Sequence, residues 1–280
     1  MLRHGLTGDW IGTFMGHKGA VWGVALDDSG LLAATASADF SARLWDAVTG
    51  DQVHEFGHNH IVKSVHFKGD RSNLATAGHE GILRIYDVAS PSSDPTEITV
   101  FPGGEATPKP MRVVTKARWG HNQNTVLTGS ADGFLRVFDV RSGERIRKVQ
   151  MDGPVMDLEM SLDRSIATVA AGQAVHFLNT DDFSEMKRHT MPINFLNEGG
   201  ASLHPGGDRF IAGGSDLWVR VFDYETGVQM ECLKGHHGPV RCLRYAPDGK
   251  TYATGSEDGT IRLWQTKPGV AAAATDGAAG

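Results

Sequence analysis

Along much of the chain, apolar and polar residues follow the short period of a β-strand and not the 3.6-residue period of a helix. Val240 to Tyr245 and residues 260–264 are five- and six-residue runs rich in β-branched, aromatic and leucine side chains, as expected of half-buried strands. Pro247-Asp248-Gly249 and Asp258-Gly259 interrupt them. Asp-Gly closes a tight hairpin because the glycine accepts positive φ. Helical periodicity is absent, so an all-β chain of short strands and tight turns is predicted.

The strands recur in a fixed frame. Residues 254–264, Thr-Gly-Ser-Glu-Asp-Gly-Thr-Ile-Arg-Leu-Trp, return as residues 128–138 and 35–45, and in weaker form as 77–86 and 213–222. Asp46 and Asp87 lie 41 residues apart, and Asp223 and Gln265 lie 42 apart. The 84 residues between Asp139 and Asp223 hold two periods, with a degenerate copy between Asp152 and Thr190. From Asp87 to Asp139 the step is 52, lengthened by a Pro- and Gly-bearing insertion over residues 91–110. Six repeats follow, near 16–46, 57–87, 111–139, 152–179, 198–223 and 235–265.

A period of about 40–45 residues with Gly-His openings and Trp-Asp closings is the mark of the WD40 repeat. Gly16-His17 pairs with Trp45-Asp46, Gly57-His58 with Tyr86-Asp87, and Gly235-His236 with Trp264-Gln265. Four strands per repeat, stacked radially, give a β-propeller whose blades bury their faces against one another. Residues 1–14 read as the remnant of a seventh repeat. Two arrangements fit: a seven-bladed ring short of its first strands, or a six-bladed ring shut by residues 9–14 pairing with the last blade. Residues 1–266 form one domain, and the Ala- and Gly-rich stretch 267–280 is expected to be a disordered tail.

Composition narrows the function. A chain of 280 residues buries roughly three quarters of its unfolded surface and needs no disulfide or metal. Its 35 glycines suit many turns. The net charge of −6 and pI near 6.1 supply no basic field for a phosphate backbone, so RNA is expected only indirectly, through partners. Cys232 and Cys242 are the two cysteines, read as free thiols of a reducing compartment. With no apolar run of 18 residues and no secretory core at the start, a soluble intracellular protein without membrane insertion is predicted.

Two sets of residues invite a catalytic reading: His17, Ser37, Asp39 and Trp45, and their repeats His236, Ser256, Asp258 and Trp264. The structural reading is preferred: in WD40 folds Asp orients His, His meets Ser, and Ser meets the indole N–H. Other repeats carry Glu80, Tyr86, Phe138 and Phe222 instead and must rest on apolar packing. His58-Asn59-His60 and His236-His237 fall short of the three or four ligands of a zinc site, and Glu257-Asp258 is turn chemistry. No phosphate loop, nucleophile elbow or dinucleotide fingerprint occurs. No cofactor and no enzymatic activity are expected. Trp22, Lys63 and Arg241 follow the first valine of their repeats and are predicted at the rim of the central channel, where aromatic and Arg side chains serve as binding hot spots. The insertion 91–110 reads as an unstructured surface segment, with a second binding loop as the alternative.

Several runs carry a more specific likeness: Met1-Leu-Arg-His-Gly5, Thr7-Gly-Asp-Trp-Ile-Gly-Thr-Phe14, Trp45-Asp-Ala-Val-Thr-Gly50, His60-Ile-Val-Lys63, Leu83-Arg-Ile-Tyr-Asp87 and Ser202-Leu-His-Pro205. Together with the last repeat they resemble the serine/threonine kinase receptor-associated protein (unrip) family over nearly the whole chain. That resemblance implies seven repeats and a scaffold of cytoplasm and nucleus acting with the survival of motor neuron (SMN) complex. There it would meet SMN-complex members and Sm-type proteins in spliceosomal snRNP assembly, and hence mRNA splicing. It also implies receptor kinases of the TGF-β pathway as partners. The alternative is the I subunit of eukaryotic translation initiation factor three. Gly12-Thr-Phe-Met-Gly-His17 suits both, whereas Asp9-Trp10-Ile11 and residues 46–50 favour the first.

Overall fold

A computed structural model describes residues 1–103, 107–195 and 199–267. Each repeat folds locally, every strand pairing antiparallel with the next across a short turn. A small hairpin comes first, β1 (Leu2–Arg3) with β2 (Trp10–Gly12). Blade 1 is β3 (Val21–Leu26), β4 (Leu32–Ser37), β5 (Ser41–Asp46) and β6 (Gln52–Gly57). Blade 2 is β7 (Val62–Phe67), β8 (Asn73–Gly78), β9 (Ile82–Asp87) and β10 (Thr96–Thr99). Blade 3 is β11 (Val114–Trp119), β12 (Thr125–Ser130), β13 (Phe134–Asp139) and β14 (Arg145–Gln150). Blade 4 is β15 (Val155–Met160), β16 (Ile166–Ala171), β17 (Ala174–Asn179) and β18 (Glu185–Thr190). Blade 5 is β19 (Gly200–Leu203), β20 (Arg209–Gly213), β21 (Val219–Asp223) and β22 (Gln229–Leu233). Blade 6 is β23 (Val240–Tyr245), β24 (Thr251–Ser256) and β25 (Ile261–Gln265). The chain is an all-β propeller of six blades.

The aspartate that closes a repeat has a mechanical task. Asp46 Oδ1 accepts the backbone N–H groups of Val48 and Thr49 at 2.8 and 2.9 Å, and Asp139 Oδ1 does the same for Arg141 and Ser142, both at 2.9 Å. These bonds fix the turn into the outer strand and hold both carboxyls below their ordinary pKa.

Apolar side chains fill the wedges between neighbouring blades. Leu44, Phe56, Val65 and Leu74 join blades 1 and 2, and Phe177, Phe195, Phe210 and Phe222 join blades 4 and 5. Part of the insertion contributes to this packing: Ile98, Val100 and Phe101 are buried between blades 2 and 3 with Trp119 and Phe138. The expectation of a plain surface segment over 91–110 is thereby corrected, because β10 supplies the outer strand of blade 2 and carries those side chains inward. Of the insertion, residues 104–106 lie outside the described residues, as do all but Lys267 of the expected tail.

The ring is not shut in the six-bladed way. β2 pairs with β1, not with β25, and blade 6 keeps three strands. The hairpin forms locally, with His4 N–H donating to Asp9 O at 2.8 Å, and closing so short a loop costs little chain entropy. β2 precedes Gly16-His17 as β6 precedes Gly57-His58, so β1 and β2 stand as the third and fourth strands of a further blade. Between blades 6 and 1 the apolar faces remain open: Val24 of β3 is 72% exposed and Ile261 of β25 is 57% exposed.

Candidate partner-binding face

Glycine sets the approach of the first two inner strands. A Cβ on Gly23 would lie 2.9 Å from Lys63 O, so only glycine lets β3 lie this close to β7. One residue earlier, five of the six inner strands depart from strict alternation, β19 being the exception. The pairing register slips between Val21 and Gly23, Val62 and Ser64, Val114 and Lys116, Val155 and Asp157, and Val240 and Cys242. These slips are β-bulges, and a bulge re-aims the extra side chain. The extra residues are Trp22, Lys63, Thr115, Met156 and Arg241, and they include the whole trio expected at the rim.

Two of the three touch. Lys63 Nζ lies 4.1 Å from the centre of the Trp22 indole, a cation–π contact. Burial and the nearby Arg241 charge pull the Lys63 pKa below its ordinary value. Arg241 pairs with Glu257. The fourth bulge residue, Thr115, turns inward, donating to Val155 O at 2.5 Å and Gly129 O at 3.0 Å, and carries nothing to the surface.

Sequence reasoning missed a second group beside this trio. Phe40 holds φ at +67° in the turn where blades 2, 3 and 6 place Gly81, Gly133 and Gly259 at +69°, +82° and +77° and blade 5 places Leu217 at +70°. A non-glycine residue there costs about 1–2 kcal/mol, and such strain collects at functional sites. The Phe40 ring packs on His60 at 5.4 Å, and His60 stacks on His79 at 4.9 Å with an interplanar angle of 7°. The available signal was Asp39-Phe40 where the repeat has Asp-Gly.

The two polar tetrads differ from expectation at one member. Asp39 Oδ2 meets His17 Nδ1 at 2.8 Å, and His17 Nε2 meets Thr35 Oγ1 at 2.6 Å. The Trp45 indole donates to that same Thr35 oxygen at 2.8 Å. In blade 6 the corresponding distances are 3.1, 2.7 and 2.8 Å, through Asp258, His236, Thr254 and Trp264. The hydroxyl relay therefore uses Thr35 and Thr254, and the assignment to Ser37 and Ser256 is corrected. Those serines sit two residues further along their strands, where Ser37 Oγ accepts Asp39 N–H at 3.2 Å and Ser256 Oγ donates to Gly238 O at 2.8 Å. One proton per link satisfies the whole chain: indole to threonine, threonine to imidazole, imidazole to carboxylate. Ser41 Oγ comes to 3.3 Å from His17 Nδ1, but its proton goes to Asp39 Oδ1 at 2.7 Å, and Thr260 Oγ1 likewise stands 3.2 Å from His236 Nδ1 while donating to Asp258 Oδ1 at 2.6 Å.

Blade 2 solves the same problem with different chemistry. Glu80 replaces the turn aspartate and binds Arg84 at 2.8 and 2.9 Å, while Arg84 Nη1 donates to His58 Nδ1 at 2.7 Å. His58 must be neutral to accept that bond, and burial with the Arg84 charge lowers its pKa to about 4. An unfolded histidine titrates near 6.5, so as pH falls from about 6.5 to 4 the unfolded chain takes the proton first, removing up to about 3 kcal/mol of stability. Buried Glu159 acts oppositely: burial raises its carboxyl to about 7, so its contribution is lost as pH rises from about 4.5 to 7. A His58→Gln variant isolates the first effect. Urea unfolding between pH 4 and 6.5 should show its pH slope shallower than wild type by about one proton, and equal slopes would remove the assignment.

Among the described residues no cluster of three or more His, Cys, Asp or Glu could hold a metal ion, and no helix is long and apolar enough to cross a membrane. Both cysteines are free thiols.

The repeat frame and the bulged inner strands can be set beside known proteins. The family model "WD domain, G-beta repeat" matches residues 8–46, 50–87, 105–139 and 227–265. Serine-threonine kinase receptor-associated proteins of Gallus gallus and Homo sapiens are 40% identical over 269 residues, spanning 96% of this chain and 73% of theirs. That of Dictyostelium discoideum is 42% identical over 266 residues, spanning 95% of this chain and 86% of its own. The chain belongs to this family of WD40 proteins. The eukaryotic translation initiation factor 3 subunit I of Botryotinia fuckeliana is more distant, 28% identical over 295 residues. Within the family frame, the unmatched stretch 140–226 holds blade 4 and the first three strands of blade 5, which keep the fold although their tetrads are gone. In blade 4, His176 Nδ1 meets Glu185 at 2.6 Å, and in blade 5, Arg220 meets Asp216 at 2.5 Å.

Proposed function

We propose that this protein is a non-catalytic adaptor that holds protein partners on the channel rim of blades 1, 2 and 6. It would act, like the relatives whose name it shares in sequence, in serine/threonine kinase receptor signalling, and with the SMN complex in snRNP assembly. The reading is supported by the bulges at Trp22, Lys63 and Arg241, beside the strained Phe40 and its histidine stack. Aromatic and arginine side chains are enriched among the few residues that carry most of the binding energy of an interface. An acidic protein with this face reaches RNA through Sm-type proteins, in both cytoplasm and nucleus. The tetrads support the non-catalytic reading, since each Thr hydroxyl is already committed to a histidine and an indole.

The test is affinity capture from a eukaryotic lysate with the tagged wild type and a Trp22→Ala/Arg241→Glu double variant, quantified by mass spectrometry. Wild type should retain SMN-complex and Sm proteins, and the variant should lose them at least tenfold while keeping its melting temperature. Undiminished capture by the variant would move the site elsewhere. Initiation-factor subunits in place of Sm proteins would transfer the protein to translation.

A further inference from the structure

The channel axis carries charge opposite to that of the whole molecule. The chain has a net charge of −6, yet the six inner strands carry Lys63, Lys116, Arg118, Arg241 and Arg244 against Asp157 and Glu159 alone. Arg241 is already paired with Glu257, which leaves an excess of two positive charges on these strands, and Arg164 of the β15–β16 turn adds a third. Strand register arranges most of them in two tiers around the axis: Lys116 and Asp157 in one, and His66, Arg118, Glu159 and Arg244 in the next.

Two of these charges neutralise each other across the channel. Asp157 of blade 4 receives Arg244 of blade 6 in a two-pronged pair of 2.6 and 2.7 Å, and Arg244 Nε also reaches Glu159 at 3.3 Å. The pair passes over Gly200 of blade 5, where a Cβ would lie 2.4 Å from the Asp157 carboxylate. Arg118 is left over. Among the described residues its guanidinium donates only to Ala117 O, at 2.9 Å, and no carboxylate stands within 4 Å. Burial, with Arg244 facing it, depresses its pKa to about 10. Lys116 has Asp157 only at 3.9 Å.

A third arginine closes one mouth. Arg164 sits at φ +60° in the β15–β16 turn and reaches over the corresponding turns of other blades. Its guanidinium crowds Gly69 of blade 2 and comes to 3.9 Å from Asp28 of blade 1. Its Nη1 is buried without a hydrogen-bond partner. His66 of β7 feels Arg118, Arg164 and Arg244 together, and these charges, after burial itself, keep it neutral. Three guanidinium groups thus converge on one neutral imidazole, with an unused donor among them.

We propose that the axial channel is a binding site for a small phosphate-bearing anion, held by Arg118, Arg164 and Lys116. Arginine's planar fork matches phosphate oxygens. A compact anion of two or more charges offsets the surplus, whereas a single carboxylate would leave most of it. An extended polyanion would meet the acidic exterior.

The test is isothermal titration calorimetry and thermal melting with inorganic pyrophosphate, beside sodium sulfate and chloride at matched ionic strength. Pyrophosphate should bind at one site per chain. Arg118→Gln should weaken it at least tenfold without lowering the melting temperature of the free protein, because the arginine it removes is desolvated and faces Arg244. Arg164→Gln serves as a second variant should Arg118→Gln not fold, and Arg147→Gln, on the exposed outer strand of blade 3, should bind as wild type does. Inositol hexakisphosphate forms the other arm: tighter binding than pyrophosphate assigns a polyphosphorylated ring, and weaker binding assigns the compact anion. Absence of heat with both ligands, an equal thermal shift from sulfate, or unchanged affinity in both channel variants would overturn the proposal.

Discussion

Asp132→Ala is expected to lower the unfolding free energy by about 3–5 kcal/mol, the cost of breaking a buried ion pair by removing one carboxylate. The partner is Arg136 of β13, which is 0% exposed. Its Nη2 lies 2.5 Å from Asp132 Oδ2, and its Nη1 donates to Ser130 Oγ at 2.7 Å and to Asp132 Oδ1 at 3.1 Å. The guanidinium cannot shed its proton, so Asp132→Ala takes two hydrogen bonds from a charge that stays in the wedge beside Phe101, whose ring centre is 4.7 Å away. Blade 5 provides the control. Asp216 pairs with Arg220 in the same turn but is 32% exposed, although Arg220 is only 7% exposed, so water can partly replace the carboxylate and Asp216→Ala should cost less, about 1–3 kcal/mol. Urea unfolding of both variants measures the contrast. Equal losses would show that burial does not decide these pairs.

Thr35→Val is expected to cost about 2–4 kcal/mol, and Ser37→Ala only about 1 kcal/mol. Valine keeps the shape of threonine but removes the oxygen that joins His17 Nε2 to the Trp45 indole at 2.6 and 2.8 Å. Two polar groups are then stranded in the fold, each worth about 1–3 kcal/mol of desolvation. Ser37 Oγ accepts one backbone N–H at 3.2 Å, and its loss strands that single donor. Thr254→Val against Ser256→Ala should repeat the pattern in blade 6. The order of melting temperatures decides it: a greater loss from the serine variants would return the relay to Ser37 and Ser256.

These effects fall on different blades because the repeats keep the fold by different means. Blades 1 and 6 use a neutral hydrogen-bonded relay, blade 2 a glutamate-arginine-histidine cluster, and blade 3 a buried ion pair. Each places a satisfied polar group behind the β-turn that leads to its third strand, and unsatisfied groups there would be costly. Trp22, Lys63 and Arg241, proposed to hold partners, stand on blades 1, 2 and 6. Loss of a tetrad should therefore weaken partner binding through the positions of Trp22 and Lys63 as well as through stability.

The sequence by itself determined the architecture. A 41- to 42-residue spacing between closing residues, with Asp-Gly turns and short strands between them, admits a propeller and little else, because strand pairing within a blade is local and every pairing is written next to its partner. It also placed Trp22, Lys63 and Arg241 at equivalent positions, since equal repeats must put equal offsets at equal places. The tertiary structure decided which hydroxyl completes each tetrad, because Thr35 and Ser37 point to the same face of β4 and only the seat of His17 selects between them. It decided that residues 10–12 pair with Leu2–Arg3 and leave blade 6 three-stranded, a choice between sheet edges that alternation cannot encode. It alone gathered Arg118, Arg164 and Arg244 around His66. Their spacing in the chain carries no sign of contact, and only the closure of blades around an axis brings residues from β11, the β15–β16 turn and β23 within reach of one another's charge.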